Sequence, residues 1–160
     1  MKSKKQTRKP YVWCIIFTEA VGVLSALLTK DGIRVFNMAA KKPPLMPPSA
    51  VFPIAWTILF ALMGVSIARI YTERYSKRRT DSIKVFLIQL AFNFLWSIIF
   101  FNIRNYAFAF IWILALWLLI VMMIVSFYRV DRSASKLQIP YLLWVTFAAY
   151  LNYAVWMLNT

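Results

Sequence analysis

The sequence has no histidine, one cysteine, three glycines and five acidic residues in 160 positions. Without histidine there is no imidazole to act as base, ligand or switch near neutral pH. A single cysteine, Cys14, forms neither an internal disulfide nor a thiolate metal cluster, so it does not report a redox compartment. There is no internal repeat, no low-complexity tract and no Gly/Ser linker. What is present points one way. Hydrophobic residues make up 62% of the chain, and 18% are aromatic, with 7 Trp, 8 Tyr and 13 Phe. Mean hydropathy is +0.66. A soluble domain is nearer half apolar, so the composition excludes a soluble enzyme, a disordered chain and a disulfide scaffold.

Charge falls between apolar runs. A membrane helix needs about 20 mostly apolar residues. The runs between charges cover 11–29 (broken only by Glu19), 43–68, 85–103, 105–128 and 137–160. They predict an all-α, integral membrane bundle of five transmembrane helices, at about 11–29, 50–70, 84–103, 105–128 and 137–158. One membrane domain then fills 1–160, with no room for a soluble one. A basic tail before the first run also fits a cleaved signal segment, but Glu19 in mid-run is against it.

Lys and Arg total 19 against 5 Asp and Glu, a net charge of +14. Positive loops beside membrane spans account for this excess better than nucleic-acid binding does, and no nucleic-acid partner is expected. Fourteen of the cations fall in the N-terminal tail and the second and fourth connections, and five fall on the other side. This predicts a multi-pass protein of the cell membrane, N-terminus cytoplasmic and C-terminus outside.

The connection at 30–49 is too long for a simple turn. It contains Lys42-Pro43-Pro44-Leu45-Met46-Pro47-Pro48. Each proline fixes φ, removes a donor and drives its predecessor towards extended geometry. A stiff apolar loop at the mouth of a bundle is either a lid or a rigid connector in the headgroup layer.

Polar atoms inside a bilayer are expensive and face the bundle interior. Gln89, Asn93, Trp96 and Phe100 share one helical face by spacing. Tyr141, Trp144, Ala148, Leu151 with Asn152, and Val155 share another, as do Phe52, Trp56, Phe60 and Met63. Converging stripes would line a flat aromatic cavity for a large planar apolar ligand. The alternative is helix packing, since amides often join neighbouring helices. Trp13 reads as an interfacial belt residue, while Trp112 and Trp117 lack polar companions and suit lipid. Glu19 reads as a proton site, or as a neutral group bonded to a neighbour such as Asn93 or Gln89.

Three segments together resemble the translocator protein / tryptophan-rich sensory protein family (TspO/MBR). The proline run, followed by Phe52-Pro53-Ile54-Ala55-Trp56 and Met63-Gly64, is similar to K-P-x-x-x-P-P…F-P-x-x-W…M-G. Gln89-Leu90 with Asn93, Trp96 and Phe100-Phe101 is similar to Q-L-x-x-N-x-x-W…F-F. Pro140-Tyr141-Leu142 with Trp144, Leu151-Asn152 and Trp156 is similar to P-Y-L-x-W…L-N-x-x-x-W.

The resemblance implies a five-helix bundle, often a homodimer, with a cavity closed by the first loop. It implies porphyrin binding and a link to tetrapyrrole sensing. It also implies, for some members, light- and oxygen-dependent degradation of protoporphyrin. Carried over residue by residue, the ligand-binding set is Phe52, Trp56, Asn93, Trp96, Phe100, Trp144, Phe147, Ala148 and Leu151. Trp56 and Trp144 are the photochemical pair, and Lys42, Pro43, Pro47 and Pro48 form the lid.

The expected ligand is protoporphyrin IX, with no required cofactor and no metal. No histidine is available as an axial ligand for haem iron, and Cys14 lies outside the matched segments, so a metal-free porphyrin suits better. Its propionates would meet Lys41, Lys42 or Arg34. Nothing in this set supports a dark enzymatic reaction, so any activity is photo-oxidative. The rivals are a transporter of porphyrin or lipid-like molecules, and a membrane interaction protein without a ligand. Membrane lipid is an expected partner in every case. The family's sterol motif is incomplete, because Met157 follows Leu151 and Tyr153 where a basic residue belongs, so no specific cholesterol site is expected. Leu45 and Met46 stand where the family often has a loop tryptophan.

Overall fold

A computed structural model describes residues 8–160; the tail cations Lys2, Lys4 and Lys5 lie outside the described residues. The described chain is helical throughout, apart from short connections. The helices are α1 (Arg8–Ala39), α2 (Val51–Thr72), α3 (Lys77–Ser97, continued by a π-helical segment, Ile98–Ile103), α4 (Tyr106–Tyr128), α5 (Arg132–Lys136) and α6 (Ile139–Leu158). Five helical stretches are long and apolar enough to cross a membrane, with α3 plus its π segment and α5 plus α6 each counting once. This is an all-α multi-pass membrane protein.

Helix ends follow capping chemistry. Ser76, Asn105 and Asp131 each accept hydrogen bonds from backbone N–H groups in the first turn of α3, α4 and α5. Pro53 and Pro140 sit in first turns, where a missing N–H costs little. The tight corner from the π segment into α4 puts Arg104 in the left-handed region, at φ 58°.

Four boundary expectations are corrected. The first helix does not stop near residue 29, because Lys30, Asp31 and Arg34 continue it to Ala39. Charge ends an apolar run but does not end a helix; it only carries the helix out of the hydrocarbon layer. The loop expected at 30–49 is therefore residues 40–50, which hold Pro43, Pro44, Pro47 and Pro48. The third helix likewise starts at Lys77 rather than near residue 84. The fifth span begins at Arg132 and breaks around Leu137 before α6.

Helix α1 packs on α2 and on the π segment, α3 on α4, and α4 on α6, while α5 docks on α2 and α4. The dense core lies among α2, α3, α4 and α6, around Met63, Phe86, Ile113, Met123, Phe127 and Tyr141. Helix α1 stands at the edge, and its buried positions are Thr18, Ser25, Thr29 and Phe36. Thr18 donates to the Phe60 carbonyl at 2.7 Å.

Close approach of α1 to α2 depends on Gly64. A Cβ there would lie 2.5 Å from the Ile15 Cα and 2.8 Å from the Thr18 Oγ1. The first of these is backbone and cannot swing aside, so close contact of small residues fixes this helix pair. Gly64→Ala is expected to destabilise the protein by about 1–3 kcal/mol, read as a lower thermal midpoint in detergent. An unchanged midpoint would show that the two helices are not held this close.

Candidate functional site

A cavity of about 640 Å³ opens between α1, residues 42–49, α2, α3 with its π segment, and α6. Among the residues picked from sequence, Phe52, Trp56, Asn93, Trp96, Phe100, Ala148 and Leu151 line it. Lys42, Pro47 and Pro48 of the expected lid line it as well. Trp144, Phe147 and Pro43 are not in the wall. Trp144 packs edge-on against Phe52 at 5.9 Å between centroids, with Phe147 at 5.9 Å on it, so it sits one ring removed from the cavity. Its indole Nε1 is buried and has no hydrogen-bond partner.

The rings about the cavity pack in clusters. Trp96 and Phe100 lie 5.2 Å apart, and Phe36 of α1 meets Phe100 at 5.3 Å. Trp56 stacks obliquely on Phe60 at 5.7 Å and touches Tyr141 at 6.3 Å. Such offset and edge contacts are the favoured geometries for π systems.

Behind the wall runs a buried hydrogen-bond chain. Asn93 Nδ2 donates to Tyr141 Oη at 2.8 Å, and the Tyr141 hydroxyl donates to Gln89 Oε1 at 2.9 Å. Trp96 Nε1 donates to Asn152 Oδ1 at 3.1 Å, and Asn152 Nδ2 donates to the Tyr106 carbonyl at 2.8 Å. Both amides picked from sequence thus hold α3 to α6, and Glu19 is not their partner. With its amide oriented this way, Asn93 keeps its carbonyl oxygen free of protein partners among the described residues, and Asn93 is one of the residues that line the cavity.

Of the three cations expected at the mouth, only Lys42 lines the cavity; Lys41 and Arg34 do not. The Lys42 ammonium is held by the Asn37 carbonyl at 3.0 Å and Asn37 Oδ1 at 3.2 Å, and lies 5.7 Å from the Phe36 ring centre. Lys41 acts through its backbone. Its N–H donates to Asn159 Oδ1 at 3.0 Å, and its carbonyl accepts from Asn159 Nδ2 at 3.0 Å. This two-point clamp fixes the loop to the end of α6.

Several features were missed from sequence. Helix α1 contributes a wall through Gly22, Ser25, Ala26, Thr29, Ile33 and Phe36. The signal was there, as small and hydroxyl residues three and four apart. Trp112 and Trp117 are not idle lipid-facing rings. Trp112 donates to the Phe92 carbonyl at 2.9 Å and stacks on Phe92 at 4.5 Å, and Trp117 donates to Thr146 Oγ1 at 2.8 Å. Trp13, at 70% exposure near the start of α1, is placed as a belt residue would be.

Residues 14–157 match the sequence profile of the TspO/MBR family. The chain belongs to that family. It is 36% identical to the tryptophan-rich protein TspO of Chlorobaculum tepidum over 147 residues, 91% of this chain and 93% of that one. It is 34% identical to the tryptophan-rich protein TspO of Archaeoglobus fulgidus over 146 residues, 91% and 94% of the two chains. It is 30% identical to the translocator protein of Bos taurus over 156 residues, 94% and 92%. TspO/MBR membership covers the three motif segments and every wall of the cavity.

Tyr141 is the hinge of the polar chain. Tyr141→Phe strands the Gln89 carbonyl oxygen and the Asn93 amide in a buried site and is expected to cost about 1–2 kcal/mol, read as a lower thermal midpoint. A neutral result would place water, not Tyr141, between the two amides.

Proposed function

We propose that the protein is a membrane sensor that binds a metal-free porphyrin, with protoporphyrin IX as the expected ligand. The observation that carries this reading is the apolar cavity of about 640 Å³, walled by indole and phenyl rings. Its volume is in the range that holds ligand-sized molecules. A planar tetrapyrrole would lie against Trp56, Trp96 and Phe100. The Asn93 carbonyl suits a pyrrole N–H, a donor that a metallated ring lacks. Lys42 would meet a propionate at the mouth. Residues 40–50, clamped by Asn159, would act as the lid. The N-terminus would be cytoplasmic and the C-terminus outside, following the basic excess.

Degradation of the bound porphyrin, where it occurs, would be photochemical, with light and oxygen supplied from outside. Trp56 would touch the excited ring, and Trp144 would act through Phe52. The two tryptophans would therefore separate in experiment. In a dark titration of the detergent-solubilised protein with protoporphyrin IX, followed by tryptophan quenching, saturable micromolar binding is expected. Trp56→Phe is expected to weaken it about three- to tenfold, the worth of one aromatic contact. Trp144→Phe is expected to change it less than twofold. Linear quenching that is the same in all three proteins would mean partition into the micelle and would overturn the reading.

A further inference from the structure

A second depression lies at the opposite end of the bundle, where α2 ends, α3 begins and α4 ends. Arg74, Lys77, Arg78 and Arg129 line it, with Glu73 as the carboxylate among the described lining residues. None of the four cations has an ion-pair partner among the described residues. Their basic neighbours are already engaged. Arg69 bridges Asp131 at 2.8 Å, Arg79 lies over the Tyr71 ring at 5.0 Å, and Arg132 lies over Tyr128 at 5.2 Å.

The floor beneath is fixed. The Arg69–Asp131 bridge ties α2 to the α4–α5 corner. Ser66 donates to the Ala134 carbonyl at 2.6 Å, and Ser135 to the Ile124 carbonyl at 2.9 Å. Ser76, which caps α3, lines the depression with Lys77 and Arg78, and the dipole of that helix adds positive potential at its N-terminus. Tyr71, Tyr75 and Tyr128 stand exposed around it, as side chains do at the headgroup level of a bilayer.

A basic concavity at this depth matches one ligand chemistry, the phosphate of an anionic lipid. We propose that this depression is a specific headgroup site for an anionic phospholipid, such as phosphatidylglycerol, in the leaflet on the side of the basic excess. A zwitterionic headgroup carries its own cation and is rejected by four unpaired ones. The site is separate from the aromatic cavity and does not depend on what that cavity binds.

The test is lipid retention. Protein exchanged into detergent with equimolar phosphatidylglycerol and phosphatidylcholine of the same acyl chains is weighed intact by native mass spectrometry. At least tenfold preferred retention of phosphatidylglycerol is expected. A variant carrying Arg74→Gln, Lys77→Gln, Arg78→Gln and Arg129→Gln is expected to lose it, at about fivefold per charge for the first removed. Arg74→Lys/Arg78→Lys/Arg129→Lys keeps every charge and is expected to retain it, which separates loss of the site from loss of the fold. Lys30→Gln/Arg34→Gln, at the other end of the bundle, is expected to leave it unchanged. Equal retention in the Gln variant and the wild type would overturn the proposal. Displacement of the lipid by millimolar inorganic phosphate would overturn it too, in favour of a free-anion site.

Discussion

The hydroxyl of Tyr141 joins two buried amides on a neighbouring helix, and the cavity rests against that join. Lipid is as apolar as leucine, so burying leucine does not drive helices together in a bilayer. Association comes from close packing and from polar groups that find no other partner. Among the described residues such groups tie particular helices together. Tyr141 with Gln89 and Asn93, and Trp96 with Asn152, set α3 against α6. Thr18 sets α1 against α2. Trp117 with Thr146 sets α4 against α6.

These bonds explain why a cavity persists instead of collapsing. Rings of α2 and of α3 with its π segment line it, opposite Ala148, Leu151 and Asn152 of α6, and several of those rings are tethered from behind. Trp96 is held by Asn152, and Trp56 rests on Phe60 and Tyr141. Helix α1 closes the remaining side with small residues, which do not fill the space that larger ones would. The same packing that makes α1 thin on the inside leaves it apolar on the outside, with Trp13, Val23, Leu27 and Leu28 exposed.

The spans and their stripes were legible because the bilayer imposes one rule over about 20 residues at a time. Gln89, Asn93, Trp96 and Phe100 shared a face by arithmetic, and they share a buried face in the structure. What escaped depended on other terms. Helix α1 outruns its apolar stretch because backbone hydrogen bonding tolerates Lys30, Asp31 and Arg34. Trp144 and Trp56 occupy similar motif positions, yet Phe52 stands between Trp144 and the cavity, and only packing decides that. The clamp joins residues 118 positions apart in sequence, and no local pattern announces it.

That clamp has a further consequence for how this sequence can change. Asn159 grips the peptide group of residue 41, not its side chain. Any residue except proline offers the same N–H and C=O, so position 41 is free to drift in charge and size while the loop stays tied to the end of α6. Position 159 has no such freedom, because only a carboxamide donates and accepts at that reach. One end of the latch is written in the backbone and is nearly indifferent to mutation. The other is written in a single side chain at the end of α6.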